Sequence, residues 1–214
     1  MAESTLTEKS SWRPAIAAAV VLTLWAGYTV LQTMAVVGQV SEGWSAALGF
    51  LPGVLGVTVL LRSGMTREEC FLVFRSISKA GFVVLVLVFI FALSSMLPVM
   101  EWVGWSWKAA LILAPAAGIA QELFFRSTLL PTLRRVFNRR PWLALVVHAV
   151  LFGLWHIGPL FIGAPIWVVI AVMAVPFLSG IGWGWQVVHD RTVVWAMIQH
   201  SLIWVVGLQF AVAG

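Results

Sequence analysis

Seven stretches of this chain are each apolar over roughly the 20 residues that a helix needs to cross a bilayer. They cover residues 14–37, 44–61, 80–100, 107–132, 142–158, 164–188 and 192–212, with short polar breaks between them. Helices of this kind can hide their surfaces only against lipid and one another. The expectation is therefore an all-α, polytopic membrane helix bundle of about seven transmembrane helices. Composition closes off the alternatives. The chain is 61% hydrophobic and 10% charged, whereas a soluble domain carries about a quarter charged residues. A cytosolic enzyme, a nucleic-acid-binding domain and a disordered chain are excluded, and so is one anchor helix on a soluble domain. The single cysteine, Cys70, rules out an internal disulfide and a Cys-rich zinc site.

The breaks between spans set an orientation. Lys9 and Arg13 precede the first span, and Arg62, Arg67, Arg75 and Lys79 lie between the second and third. Arg134, Arg135, Arg139 and Arg140 separate the fourth from the fifth, and Arg191 the sixth from the seventh. The alternate breaks hold only Lys108. Basic loops collect on the cytoplasmic side, so residues 1–13 are expected as a cytoplasmic tail and 14–214 as a single transmembrane domain. The net charge of +5 then reflects topology and not a nucleic-acid partner. Trp12, Trp142 and the cluster Trp102, Trp105 and Trp107 stand at span ends, where indole favours the membrane interface. Residues Thr66–Lys79 mix charge with Phe71, Phe74 and Ile77 and predict a short amphipathic helix on the inner surface. Gly49/Gly53 and Gly180/Gly184 are small-residue spacings that allow close helix packing. There is no internal repeat of the kind that transporters show.

Ionisable groups inside spans are costly and mark functional sites. Here they are Glu122 and Arg126 in the fourth span, His148 and His156 in the fifth and His200 in the seventh. Measured from the nearest basic end, Glu122, His156 and His200 lie roughly 18, 22 and 13 Å deep, near the middle of a core about 30 Å thick. A carboxylate and two imidazoles from three helices could polarise water or hold a divalent metal such as zinc. The plainer readings stand beside this one. Glu122 and Arg126 are four apart, a spacing that makes a structural ion pair. His148 reads as a packing residue, and His189, beside Asp190 and Arg191, as a solvated loop residue.

Three runs of residues, in order, resemble the CPBP family of intramembrane metalloproteases, the CAAX-processing and bacteriocin-processing (Abi) membrane proteases. The family's Glu-Glu-x-x-x-Arg helix is matched by Gln121-Glu122-Leu123-Phe124-Phe125-Arg126. Its Phe-x-x-x-His is matched by Phe152 to His156, and its His-x-x-x-Asn by His200 to Trp204. The resemblance covers the second half of the chain, with a protease-like core over about 107–212. It implies an endopeptidase that cuts a membrane-associated peptide in a bacterial cytoplasmic membrane. Glu122, His156 and His200 would surround a water or a metal, with Gln121 beside them and Arg126, Phe152 and Trp204 supporting the site. In the family the first glutamate activates water with help from the second-motif histidine, and the last histidine and the asparagine stabilise the oxyanion.

Two positions depart from the pattern. Gln121 stands where the first glutamate belongs, and an amide can orient water but not take its proton. Trp204 stands where the asparagine belongs, and indole donates one hydrogen bond but binds no metal. Gln121 is open to three readings: an isosteric inactivating change, natural divergence with activity carried by Glu122, or a pseudoprotease. The independent departure at Trp204 favours natural divergence. The functional expectation is an endopeptidase-like protein. Its alternative is an inactive pseudoprotease acting as a membrane scaffold, an immunity factor or a subunit of a membrane complex.

Overall fold

The computed structural model describes residues 14–97 and 100–212; the expected tail with Lys9, Trp12 and Arg13 lies outside them. The helices are α1 (Pro14–Val36), α2 (Glu42–Arg62), α3 (Lys79–Met96) and α4 (Ala109–Val136), then α5 (Pro141–Leu154), α6 (Ile166–Asp190) and α7 (Val194–Gly207). Among the described residues, five helices are long and apolar enough to cross a membrane: α1, α3, α4, α6, and α5 with the turns that follow it to Ile162. The apolar part of α2, Ala47–Arg62, and α7 are shorter.

Two of the expected spans are cut short at the same end of the molecule. The third stops at Met96 and the seventh at Gly207. Residues beyond them, β1 (Met100–Trp102) and β2 (Phe210–Val212), pair as an antiparallel ribbon with Glu101 opposite Ala211. Gln209 secures this end. Its backbone carbonyl accepts from Val103 N–H at 3.0 Å, and its side-chain oxygen accepts from Ser106 N–H at 2.7 Å. Backbone groups that would otherwise be orphaned past the helix ends are thus satisfied.

The segment expected as an amphipathic helix, Thr66–Lys79, is not helical. Thr66 and Glu69 close a turn on each other: Glu69 Oε2 accepts from Thr66 N–H at 2.7 Å, and Thr66 Oγ1 accepts from Glu69 N–H at 3.2 Å. Phe71 then takes a left-handed φ of 58°. Its carbonyl accepts from Val193 N–H at 3.0 Å, and the Arg75 carbonyl from Trp195 Nε1 at 2.8 Å. Tertiary partners have taken the carbonyls that a helix would have used. Cys70 is buried under this turn, and burial, with the nearby Glu69 charge, pushes its thiol up to about 11.

Helix α4 lies at the centre, packed on α1, α2, α5 and α7, while α6 covers α5 and α3. It contains two wide turns, Ala109–Leu113 and Phe125–Leu129, each just ahead of a proline. Pro115 and Pro131 lack the N–H that would serve the carbonyl four residues back, so the helix loosens there. Thr128 Oγ1 bonds the Leu123 carbonyl at 3.2 Å across the second turn. At Gly118 a Cβ would lie 2.6 Å from Ser201 N, so α7 approaches α4 backbone to backbone. Gly180 and Gly184 do the same work between α6 and α5: a Cβ on Gly180 would meet Phe152 at 3.1 Å, and one on Gly184 would meet Leu145 at 2.5 Å.

Candidate active site

The close approach at Gly118 and Ser201 brings the next turn of α4 against His200. His200 Nδ1 lies 2.7 Å from Glu122 Oε1. The same oxygen is 3.1 Å from Arg126 Nη1, four residues on, and both side chains of that pair have no exposed surface. Since the carboxylate can only accept, His200 Nδ1 carries the proton in this bond. Glu122 Oε2 has no partner among the described residues.

Phe152 is the hub of this cluster. The Arg126 guanidinium carbon sits 4.2 Å from the Phe152 ring centre and 5.1 Å from that of Trp183. His156 and His200 both meet Phe152 near perpendicular, with ring centres 5.2 and 6.1 Å away. Trp183 stacks on His200 at 4.4 Å, and its Nε1 donates to Gln199 Oε1 at 2.5 Å. Gln199 in turn donates to the Leu85 carbonyl, fixing the stack to α3. The guanidinium is thus held by one carboxylate and aromatic faces, a favourable arrangement for a desolvated cation.

His156 lies one turn past the end of α5. Its Nδ1 donates to the Phe152 carbonyl at 3.0 Å, which leaves Nε2 as a free acceptor. His148 is buried beside Phe125, and neither ring nitrogen has a hydrogen bond among the described residues. His189 is in the last turn of α6, exposed and stacked on Trp185 at 4.6 Å. Among the described residues no three His, Cys, Asp or Glu side chains come together in a metal-holding set. The expected ligand set of Glu122, His156 and His200 is therefore not assembled. Glu122 Oε1 is engaged by His200 and lies beside the Arg126 cation, which opposes a second cation there.

Gln121 points elsewhere. It lines a cavity of about 260 Å³ together with Tyr28, Gln32, Ser45, Trp155 and Trp204. Glu122, His156 and His200 are not among the lining residues. Gln121 Oε1 and Trp204 Nε1 are both buried without a hydrogen-bond partner among the described residues. Sequence reasoning singled out these two but missed Tyr28, Gln32 and Ser45, which come from α1 and α2. A signal was present: Tyr28 and Gln32 are one turn apart in a helix whose other polar side chains are only the threonines Thr23, Thr29 and Thr33.

Residues 102–206, from β1 to near the end of α7, match the family described as type II CAAX prenyl endopeptidase Rce1-like. The matched segment, just under half of the chain, is similar to the CAAX protease family. No curated protein and no solved structure matches the chain. With several helices able to cross a membrane and a match to a membrane protease family, the protein is a multi-pass membrane protein. The matched segment contains every residue of the three motifs, while α1 and α2, which complete the cavity wall, lie outside it.

Proposed function

We propose that this protein is a CAAX-type intramembrane endopeptidase that cuts a membrane-associated peptide slowly, in a bacterial cytoplasmic membrane. The observation that carries the reading is the pairing of Gln121 and Trp204. They occupy the family's glutamate and asparagine positions, both residues line one cavity, and each carries a buried polar atom without a partner among the described residues. A peptide carbonyl seated there accepts from Trp204 Nε1, and a water donates to Gln121 Oε1. The base we assign is His156 Nε2, whose Nδ1 donates to the Phe152 carbonyl; His156 lies outside the cavity lining, so a further water would have to relay the proton to it. Glu122 holds Arg126 and orients His200. No step is routed through a metal, because the three residues expected to bind one are not gathered. Replacing a carboxylate base by an amide lowers the hydrolytic rate by about 10²–10⁴.

One observation favours a second reading, a pseudoprotease acting as a membrane scaffold, an immunity factor or a complex subunit. The only carboxylate of the site is turned away from the cavity and paired. Peptide cleavage in lipid by the native protein, Gln121→Glu and His156→Ala separates the two. Native cleavage that disappears in His156→Ala supports a protease with an altered base. Cleavage only in Gln121→Glu supports an intact but disarmed site. Silence in all three transfers the reading to the scaffold.

A further inference from the structure

Among the described residues, two other than glycine take a left-handed φ: Phe71 at 58° and Arg191 at 55°. Side chains with a Cβ avoid this region, and residues held in it collect at binding and switch sites. The two turns are tied together, because the Phe71 carbonyl accepts from Val193 N–H at 3.0 Å. Over them lies Arg134, in the last turn of α4, with its guanidinium carbon 5.7 Å from the Phe71 ring centre. Arg191 is near enough for its charge to repel that of Arg134. Neither is paired with a carboxylate among the described residues, whereas Arg135 has Glu69 at 3.6 Å. The acid beside Arg191 is turned inward. Asp190 is buried, with Oδ1 accepting from Ser78 N–H at 3.3 Å and Oδ2 from Gln186 Nε2 at 3.0 Å. All of this stands at the basic end of the bundle, where Arg62 closes α2 and Arg139 and Arg140 lead into α5. The β1–β2 ribbon and the cavity-lining Val36, Ser45 and Leu208 are at the other end. Phe74, on the same loop as Phe71, is 73% exposed and packs on Trp195 at 5.9 Å.

We propose that Arg134 and Arg191 form a binding site for a phosphate group, that of an anionic phospholipid headgroup at the cytoplasmic surface. Two cations held close by strained turns repel each other, and an anion placed across both turns that repulsion into attraction. Guanidinium groups offer phosphate oxygens paired, charge-assisted hydrogen bonds, which suits them to this anion above others. Placement favours lipid as the source of the phosphate. The pair lies where two membrane-spanning helices, α4 and α6, come to their ends, among the basic loops that mark the cytoplasmic side. Basic pockets between helix ends on that side suit anionic headgroups. The exposed Phe74 ring on the adjoining loop suits the boundary between headgroups and acyl chains. The site uses no residue of the three motifs or of the cavity wall, so it stands apart from the endopeptidase reading.

Binding of a fluorescent phosphatidylglycerol to the purified protein in uncharged detergent tests the site. Unlabelled phosphatidylglycerol is expected to compete, and phosphatidylcholine, whose phosphate is neutralised by its own choline, is not. Arg134→Gln and Arg191→Gly are each expected to weaken binding about tenfold or more. Glycine adopts a φ of 55° without strain, so Arg191→Gly removes the charge and keeps the turn. Arg139→Gln removes an exposed base at the same end and is expected to weaken binding about fivefold or less, the share of any base near an anionic surface. Equal losses in the three variants, or no loss in Arg191→Gly, overturn the site in favour of a diffuse basic surface. Should Arg134→Gln not fold, the comparison of Arg191→Gly with Arg139→Gln decides. Equal competition by phosphatidylcholine overturns recognition of an anion. Inorganic phosphate that displaces the probe as well as phosphatidylglycerol does, at equal concentration, keeps the phosphate site and overturns lipid as its source.

Discussion

Gln121 and Glu122 are neighbours in sequence and belong to two different regions of the molecule. Consecutive residues on a helix point about 100° apart, and that turn separates a filled polar knot from an open cavity. In the knot, Glu122 is shared by Arg126 and His200, and aromatic rings close over the rest. In the cavity, Gln121 Oε1 and Trp204 Nε1 have no partners among the described residues. The two regions differ in charge more than in satisfaction: Glu122 Oε2 and the Arg126 nitrogens also lack hydrogen-bond partners among the described residues, and charge attraction with aromatic packing holds the knot instead. Charge and cavity therefore lie apart here: the ion pair is packed among aromatic rings, and the cavity wall carries no formal charge.

The largest expected effect comes from moving charge into the cavity. Gln121→Glu places a carboxylate at a residue of the cavity wall. Peptide cleavage in proteoliposomes is expected to rise about 10²–10⁴-fold, and an unchanged rate would break the assignment of Gln121 to the water. The knot should respond in the opposite currency. Arg126→Met strands Glu122 in a site without solvent, a loss of about 3–5 kcal/mol read as a fall in melting temperature in detergent. Pairing it with Glu122→Gln removes the stranded charge and should recover part of that loss. No recovery in the double variant would mean that packing around Phe152, and not the ion pair, holds the knot.

The bundle could be read from the sequence because a 20-residue apolar run leaves the backbone few choices in lipid. Where α3 and α7 stop could not, since the ribbon that ends them pairs residues about 110 apart. The loop at Thr66–Lys79 failed for a related reason: its local pattern is helical, and long-range bonds to Val193 and Trp195 overrode it. Within the site, intramembrane charge and motif spacing led to Glu122, Arg126, His156 and His200. Shared depth suggested one cluster around a metal, but depth carries no azimuth. Only the packing shows Glu122 and His200 paired, His156 held on its own carbonyl and Gln121 facing a separate cavity. The wall from α1 and α2 was missed because Tyr28, Gln32 and Ser45 are neutral and carry no motif.

A smaller effect tests whether the free donor in the cavity contributes to turnover. Trp204→Phe keeps an aromatic side chain, smaller by one ring, and removes Nε1–H. If that donor meets the developing oxyanion, kcat falls about 10²–10³-fold with KM nearly unchanged. The Gln121→Glu background gives the assay its range. A rise in KM at constant kcat would instead make Trp204 a wall of the cavity that binds ground state and transition state alike.

The smallest expected effect lies outside both regions and serves as their control. Glu69 accepts from the Thr66 N–H, and this bond, helped by the nearby Arg135, holds its carboxyl below its usual value despite a little burial. A carboxyl whose folded pKa is depressed adds stability above its unfolded value, about 4.3. That contribution fades as pH falls through the folded value. The pair with Arg135, 3.6 Å away, is largely solvated, so Glu69→Gln should cost about 1 kcal/mol or less. The cost should be present at pH 7 and shrink toward pH 3, while cleavage by Gln121→Glu protein stays unchanged at pH 7. A loss of cleavage in Glu69→Gln would couple the basic-end turn to the cavity at the opposite end. The division of the molecule into a fixed knot and an independent cavity would then have to be redrawn to include the Phe71–Val193 contact that joins this turn to α7.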